Sequence, residues 1–178
     1  MKVVIIRHGK VNMRWRKWYT SKQYDRDCAN YDFADIVSIG GSPKNVASAD
    51  IYISTLKRSR QTAEQLFGEG SFLETDLLNE VPLNSFCDCS VLLPLWIWNV
   101  MGRLQWLWQS KRQKEKRTDT QKRADQLIRK LLEKGRDCIL VSHGFFMRTL
   151  VRELKKQGFV IEKSGVGIAN LAQIIAVK

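Results

Sequence analysis

Only two histidines occur in this chain of 178 residues, and they stand in matched surroundings. His8 follows the β-branched run Val3-Val4-Ile5-Ile6 after one residue, and His143 follows Cys138–Val141 after one residue. Each is followed by a glycine. Short apolar runs of this kind read as buried strands, so both imidazoles are expected at C-terminal strand ends. If the two strands are neighbours, both rings face one pocket. Gly9 and Gly144 are expected to let the backbone turn sharply and a ligand approach main-chain N–H groups. A third segment behaves likewise: Ser54-Thr55-Leu56-Lys57-Arg58-Ser59-Arg60-Gln61-Thr62-Ala63 follows the short strand Ile51–Ser54 and puts Arg58 in the first turn of a helix. The guanidinium is a planar, permanently charged fork that suits a phosphoryl group, and Arg7 can serve from the opposite side. An imidazole with one unprotonated nitrogen is a competent nucleophile toward such a group. Together these residues suggest phosphoryl transfer.

The elements that must position them alternate in type. After the first strand, residues 12–31 are polar, basic and aromatic without a clean period, and read as a loop or short helix over one end of the sheet. Ser42 and Pro43 suit an N-cap and first helical position. A helix is expected over Lys57–Phe67, stopped by Gly68. Asp76–Cys89 has loop character. Leu92–Gln109 reads as a helix broken by Arg103 and Gln105, with Trp98, Met101, Leu104 and Trp108 at helical spacing. The clearest helix is Thr118–Lys134, where Ala124, Leu127, Ile128, Leu131 and Leu132 form one stripe and Gly135 ends it. A buried strand at Cys138–Ser142, a helix at Phe145–Lys156 ended by Gly158, and a strand at Ile168–Val177 complete the pattern. Alternation of this kind predicts an α/β fold, with a mostly parallel sheet covered on both faces and ligands bound at the carboxyl ends of its strands. No repeat or composition break marks a second domain, so residues 1–178 are read as one.

Composition excludes several classes. With 44% apolar and 27% charged residues the chain has the balance of a folded globular protein, not of a disordered one. Four cysteines, with no repeated Cys-x-x-Cys and only two histidines, argue against a disulfide framework and against a structural zinc site. The N-terminal apolar run is too short for a signal segment, so a cytoplasmic location is expected. The net charge of +12 is uneven: residues 1–90 carry 12 basic and 11 acidic side chains, residues 91–178 carry 18 and 7. A basic segment of this sort is either a solvated helix face or a surface that attracts anions.

On these motifs the chain resembles the histidine phosphatase superfamily, whose fold is phosphoglycerate mutase-like. Arg7-His8-Gly9 matches its RHG motif, Ser54–Ala63 its S-x-L-x-R-x-x-Q-T-A helix, and Val141-Ser142-His143-Gly144 its second-histidine motif. The resemblance implies a three-layer α/β/α sandwich and a ping-pong reaction through phosphohistidine on His8. It implies that Arg7, Arg58 and His143 hold the phosphoryl oxygens, and that a carboxylic acid protonates the leaving oxygen. Glu80, in Leu78-Asn79-Glu80, fits the family's acid, with Asp76 and Asp88 as rivals. No cofactor or metal is implied. Two positions depart from the family's RHG-E-T-x-x-N: Val11 stands for the threonine and Arg14 for the asparagine. Arg14 is a candidate to supply a charge to the phosphate in place of the amide. The family's G-x-W-E-G stretch is missing too, which leaves the substrate open.

The expected activity is hydrolysis of a small phosphomonoester. A mutase of the same family is the near alternative, although such mutases generally carry a longer insertion after the second motif. A non-catalytic phosphate- or RNA-binding module is the distant one, favoured by the basic second half alone; specific nucleic-acid binding is not expected. Three readings of Trp96, Trp98, Trp106 and Trp108, just before the basic run Lys111–Arg117, stay open. They are rings packed on the domain before a solvated basic turn, a cap over the site, and an interfacial helix making weak contact with anionic lipid.

Overall fold

A computed structural model describes residues 1–41, 49–163 and 169–178. In chain order its elements are β1 (Lys2–Arg7), β2 (Trp18–Tyr19), α1 (Ser21–Phe33), β3 (Asp50–Ile53), α2 (Lys57–Phe67), β4 (Leu73–Glu74), a 3-10 turn (Asp76–Leu78), β5 (Leu93–Pro94), α3 (Leu95–Leu107), α4 (Arg117–Lys134), β6 (Cys138–Ser142), α5 (Gly144–Lys156), β7 (Val160–Lys163) and β8 (Gln173–Val177). Six strands form the central sheet in the order β4-β3-β6-β1-β8-β7, and β2 pairs with β5 separately. The four strands β4, β3, β6 and β1 run parallel, while β8 is antiparallel to both of its neighbours. The sheet is therefore mixed but mostly parallel.

The strand periodicity of two assigns the layers. Val3 and Ile5 of β1, with Cys138 and Leu140 of β6, turn to one face, where Leu127, Ile128 and Leu131 of α4 and Phe146, Leu150 and Leu154 of α5 cover them. Val141 and Ile53 turn to the other, where Ala63 and Phe67 of α2 close the core. This is the α/β/α sandwich. Of the expected α4 stripe Ala124, Leu127, Ile128 and Leu131 are buried, each Leu or Ile contributing about 1.5–3 kcal/mol relative to exposure, while Leu132 is only partly buried. Gly135 ends α4 in the left-handed region at φ 62°.

Several elements differ from the sequence reading. The stretch over residues 12–31, read as a loop or short helix, holds most of a 13-residue helix, α1, which runs on to Phe33 and is started by a capping box: Thr20 Oγ1 accepts from Gln23 N, and Gln23 Oε1 accepts from Thr20 N. Its period is hidden because it buries Ser21, Tyr24 and Asp27, two of them polar. The short strand β7 has no counterpart in the sequence reading. The helix start at Ser42 and Pro43, and Ile168 of the last strand, lie outside the described residues.

The Trp-rich helix α3 is continuous through Arg103 and Gln105, because each donates to a nearby carbonyl, Val81 and Phe86 respectively. Its buried stripe is Trp98, Gly102 and Trp106, and Trp108 is exposed. The register is set by Gly102, where a Cβ would meet Leu83 Cδ1 at 2.7 Å and the Asn84 carbonyl at 3.3 Å. Trp98 stacks on Tyr24 with 5.5 Å between centroids, and Trp106 donates to Thr120 Oγ1 at 2.9 Å. The basic turn after α3 is only partly solvated: Arg112 pairs with Asp88 at 2.6 Å, and Gln113 is buried.

Candidate active site

The parallel register sets Arg7 opposite Ser142, so His8 and His143 emerge side by side one residue beyond the paired strands. The His8 N–H continues the ladder to the Ser142 carbonyl at 2.9 Å, and the two ring centroids are 5.0 Å apart. α2 is fastened to the same edge. Ser59 Oγ donates to the Val141 carbonyl at 3.0 Å, and Thr62 Oγ1 accepts the Gly9 N–H at 2.8 Å.

Both rings are buried, and their hydrogen bonds assign their tautomers. His8 Nδ1 lies 2.7 Å from the Gly9 carbonyl, which can only accept, so Nδ1 carries the proton and Nε2 keeps its lone pair. Burial, then the Arg58 charge, with a smaller contribution from Arg7, lowers the His8 pKa to about 3 against the opposing Gly9 bond. The ring is therefore neutral at physiological pH. His143 Nδ1 accepts from Arg58 Nε at 3.1 Å, so its proton is on Nε2, which donates to Ser54 Oγ at 2.7 Å. Burial first, then Arg58, holds the His143 pKa well below the ordinary histidine range.

Arg58 is 1% exposed, and its charge is compensated within the fold. Besides His143, it pairs with Asp32 at 2.8 Å and lies 4.9 Å from the Tyr31 ring centroid. Arg7 lies across the start of α5, where a Cβ on Gly144 would stand 3.0 Å from its Nε and Cζ. Close approach, then, is why a glycine follows His143. Neither Gly9 nor Gly144 has a positive φ, so the sharp turn expected of them is not what they supply. At Gly9 an added Cβ would meet Ile39 and Ile36 methyls at 3.1 and 3.2 Å.

Glu80 caps α5 from outside the helix. Its Oε2 accepts from Phe145 N at 3.1 Å, and its Oε1 accepts from Phe146 N and Val81 N, each at 2.9 Å. Phe145 and Phe146 offer the N–H groups that a helix start leaves unsatisfied. The segment bearing Glu80 is held by Ser142 Oγ, which donates to the Leu78 carbonyl. Arg123 of α4 holds it too, donating to the carbonyls of Leu77 and Asn79 while pairing with both oxygens of Glu115.

Arg7, Arg58 and Glu80 line a cavity of about 1250 Å³, together with Trp15, Tyr31 and Arg103. The buried rings of His8 and His143 are not among its lining residues. Arg14 is exposed and is not among the described residues lining the cavity. The chain after Gly9 is pinned elsewhere, with Val11 bridged to Ile36 and buried. The rivals of Glu80 separate as well: Asp76 lines the cavity, whereas Asp88 is bound to Arg112. Sequence reasoning names Ser54 only within its motif and misses Asp32, Arg103 and Asn170. Asn170 Nδ2 donates to the His8 and Gly9 carbonyls. Asp32 and Asn170 sit in segments with no motif, and Arg103 reads as an interruption of an apolar helix.

Comparison with known proteins places this arrangement. No curated protein matches the chain by sequence. The fold is similar to that of an open-reading-frame product of Mycobacterium tuberculosis, at TM-score 0.61 and 16% identity over 98% of this chain and 89% of that one. It is similar to a phosphoserine phosphatase of Entamoeba histolytica, at 0.57 and 15% over 98% and 89%. A mycobacterial glucosyl-3-phosphoglycerate phosphatase matches at 0.55 and 18% over 98% and 91%. The model of the histidine phosphatase superfamily, branch 1, matches residues 3–161. The chain with its two histidines on adjacent strand ends thus belongs to the histidine phosphatase superfamily.

Proposed function

We propose that the protein is a phosphatase that hydrolyses a phosphomonoester in two steps, through a covalent phosphohistidine on His8 Nε2. One observation carries the reading: the Gly9 carbonyl fixes the His8 proton on Nδ1 and leaves Nε2 with its lone pair. Nε2 attacks phosphorus in line, and the ester P–O bond breaks. Glu80 gives its proton to the leaving oxygen as that bond breaks. A water then attacks the phosphohistidine and gives a proton to the Glu80 carboxylate. The P–N bond breaks, and its electron pair returns to Nε2.

The other residues act on charge. Arg7 and Arg58 hold the phosphoryl oxygens with fixed donors. Arg58 spends Nε on His143 and one donor of Nη1 on Asp32, which leaves its Nη2 for the phosphoryl group. His143 orients Arg58, and it contacts a phosphoryl oxygen itself only when its Nε2–H leaves Ser54. Glu80 has room for a proton: a carboxylate offers about four lone-pair sites, and three N–H groups occupy three of them. The open site is on Oε2. The cavity has space beyond the phosphate for an organic leaving group against Trp15 and Tyr31, which fits a small phosphate ester. Arg14 has no part in this reading.

The test is hydrolysis of an aryl phosphate in the presence of a chelator, comparing wild type with His8→Ala. Equal rates would sink the proposal. Acid-labile phosphate trapped on the wild type after rapid quench, and missing from His8→Ala, is the expected mark of the intermediate. Release of inorganic phosphate, and not its return to an acceptor, separates hydrolysis from a mutase.

A further inference from the structure

The side of α3 turned away from Trp98, Gly102 and Trp106 is apolar and uncovered. At 100° per residue Trp96, Val100 and Leu107 fall within one narrow stripe, and they are 65%, 47% and 40% exposed. Trp18, whose strand partner is Pro94 at the start of the helix, and Leu92, just before that strand, are exposed as well. A contiguous exposed face of this kind marks an interaction surface.

Its charge says what it meets. From Cys89 to Lys114 the chain has no Asp or Glu. At the C-terminal end of the stripe Leu107 borders a hollow of about 280 Å³ whose wall includes Arg117, Arg148 and Arg152. None of these three arginines has an ion-pair partner among the described residues. Three uncompensated guanidinium groups beside an apolar stripe suit phosphate headgroups above acyl chains. α3 is too short to cross a bilayer, and its 13 residues suit lying in the interfacial plane with tryptophan rings at the headgroup level.

We propose that the outward face of α3, with the three-arginine hollow at its end, docks the protein on an anionic lipid bilayer. The surface is independent of the phosphatase reaction, because Trp96, Val100, Arg148 and Arg152 do not line the catalytic cavity. The experiment is co-sedimentation of the full chain with phosphatidylcholine vesicles, with and without phosphatidylserine. Wild type is expected to pellet with the anionic vesicles only, and less at high salt. Trp96→Ser with Val100→Ser should abolish pelleting. Arg148→Glu with Arg152→Glu should lower the partition coefficient about thirty-fold or more, as expected for losing two cations near an anionic surface. Unchanged aryl phosphate hydrolysis in both double variants shows that they remain folded. Failure of wild type to pellet at any salt, or equal pelleting of wild type and both variants, overturns the proposal. So does self-association that Trp96→Ser removes without any vesicle binding, which would make the face a contact between copies.

Discussion

The ends of β1 and β6 look alike in sequence, an apolar run, a polar residue, histidine and glycine, yet they hold their imidazoles in opposite ways. At β1 the neighbouring carbonyl accepts from the Nδ1–H, which leaves the lone pair on Nε2. At β6 both nitrogens are engaged, one by Arg58 and the other by Ser54. The glycines differ in kind too: Gly9 faces isoleucine methyls, and Gly144 faces the Arg7 guanidinium. Matched placement on a sheet edge therefore does not mean matched roles. In the proposed reaction the β1 end presents the reactive nitrogen, and the β6 end positions charge.

That difference can be broken in order of severity. His8→Gln should cost about four orders of magnitude or more in kcat, the scale of losing a covalent nucleophile, measured on an aryl phosphate. His143→Gln should cost less, about 10²–10³-fold, as for a lost element of transition-state charge stabilisation. Equal losses at the two positions would erase the distinction. Acid stability gives a third handle. His8 is neutral in the folded protein down to a pKa of about 3, whereas the unfolded chain takes up that proton near pH 6.5. The unfolded state thus binds more protons in this window, and stability falls as pH drops from 6.5 toward 3, by up to about 1.4 kcal/mol per pH unit for each such ring. Denaturant midpoints across that range should show it, and His143→Gln should flatten the slope.

Smaller effects sharpen the comparison. Gly144→Ala pushes on Arg7 and should raise KM about tenfold, the equivalent of one charge-assisted hydrogen bond. Gly9→Ala presses on Ile36 and Ile39 methyls and should lower Tm with KM nearly unchanged. Ser54→Ala removes one partner of His143 and should cost less than about tenfold in kcat, since a single neutral hydrogen bond is involved. A larger loss would show that Ser54 does more than occupy Nε2.

Strand ends are legible from sequence because buried parallel strands are continuous apolar runs, and the residues just beyond them lie at the carboxyl edge by topology. That is how Val3–Ile6 and Cys138–Val141 locate His8 and His143 together. The walls of the cavity are not legible in the same way. α1 buries few apolar residues and is recognisable only by Thr20 and Gln23, a two-residue signal within a polar stretch. Asp32 reaches Arg58 from the last turn of that helix, a tertiary contact with no local trace. Arg14 lies outside the cavity lining for the converse reason. Only analogy to one position of a motif points to it, while the bridge at Val11 and Ile36 decides where that segment runs.

Arg123 has a consequence for how the protein opens. It joins the carbonyls of the segment before Glu80 to Glu115 and packs on Phe146, so a stretch that is loop by composition is anchored in the core between α4 and α5. In hydrogen exchange, loop amides usually open by local fluctuation at little cost. The amides of Val81, Phe145 and Phe146, all donated to Glu80, should instead exchange together with the α4–α5 unit. An Arg123→Ala variant should release Val81 into the fast-exchanging class first.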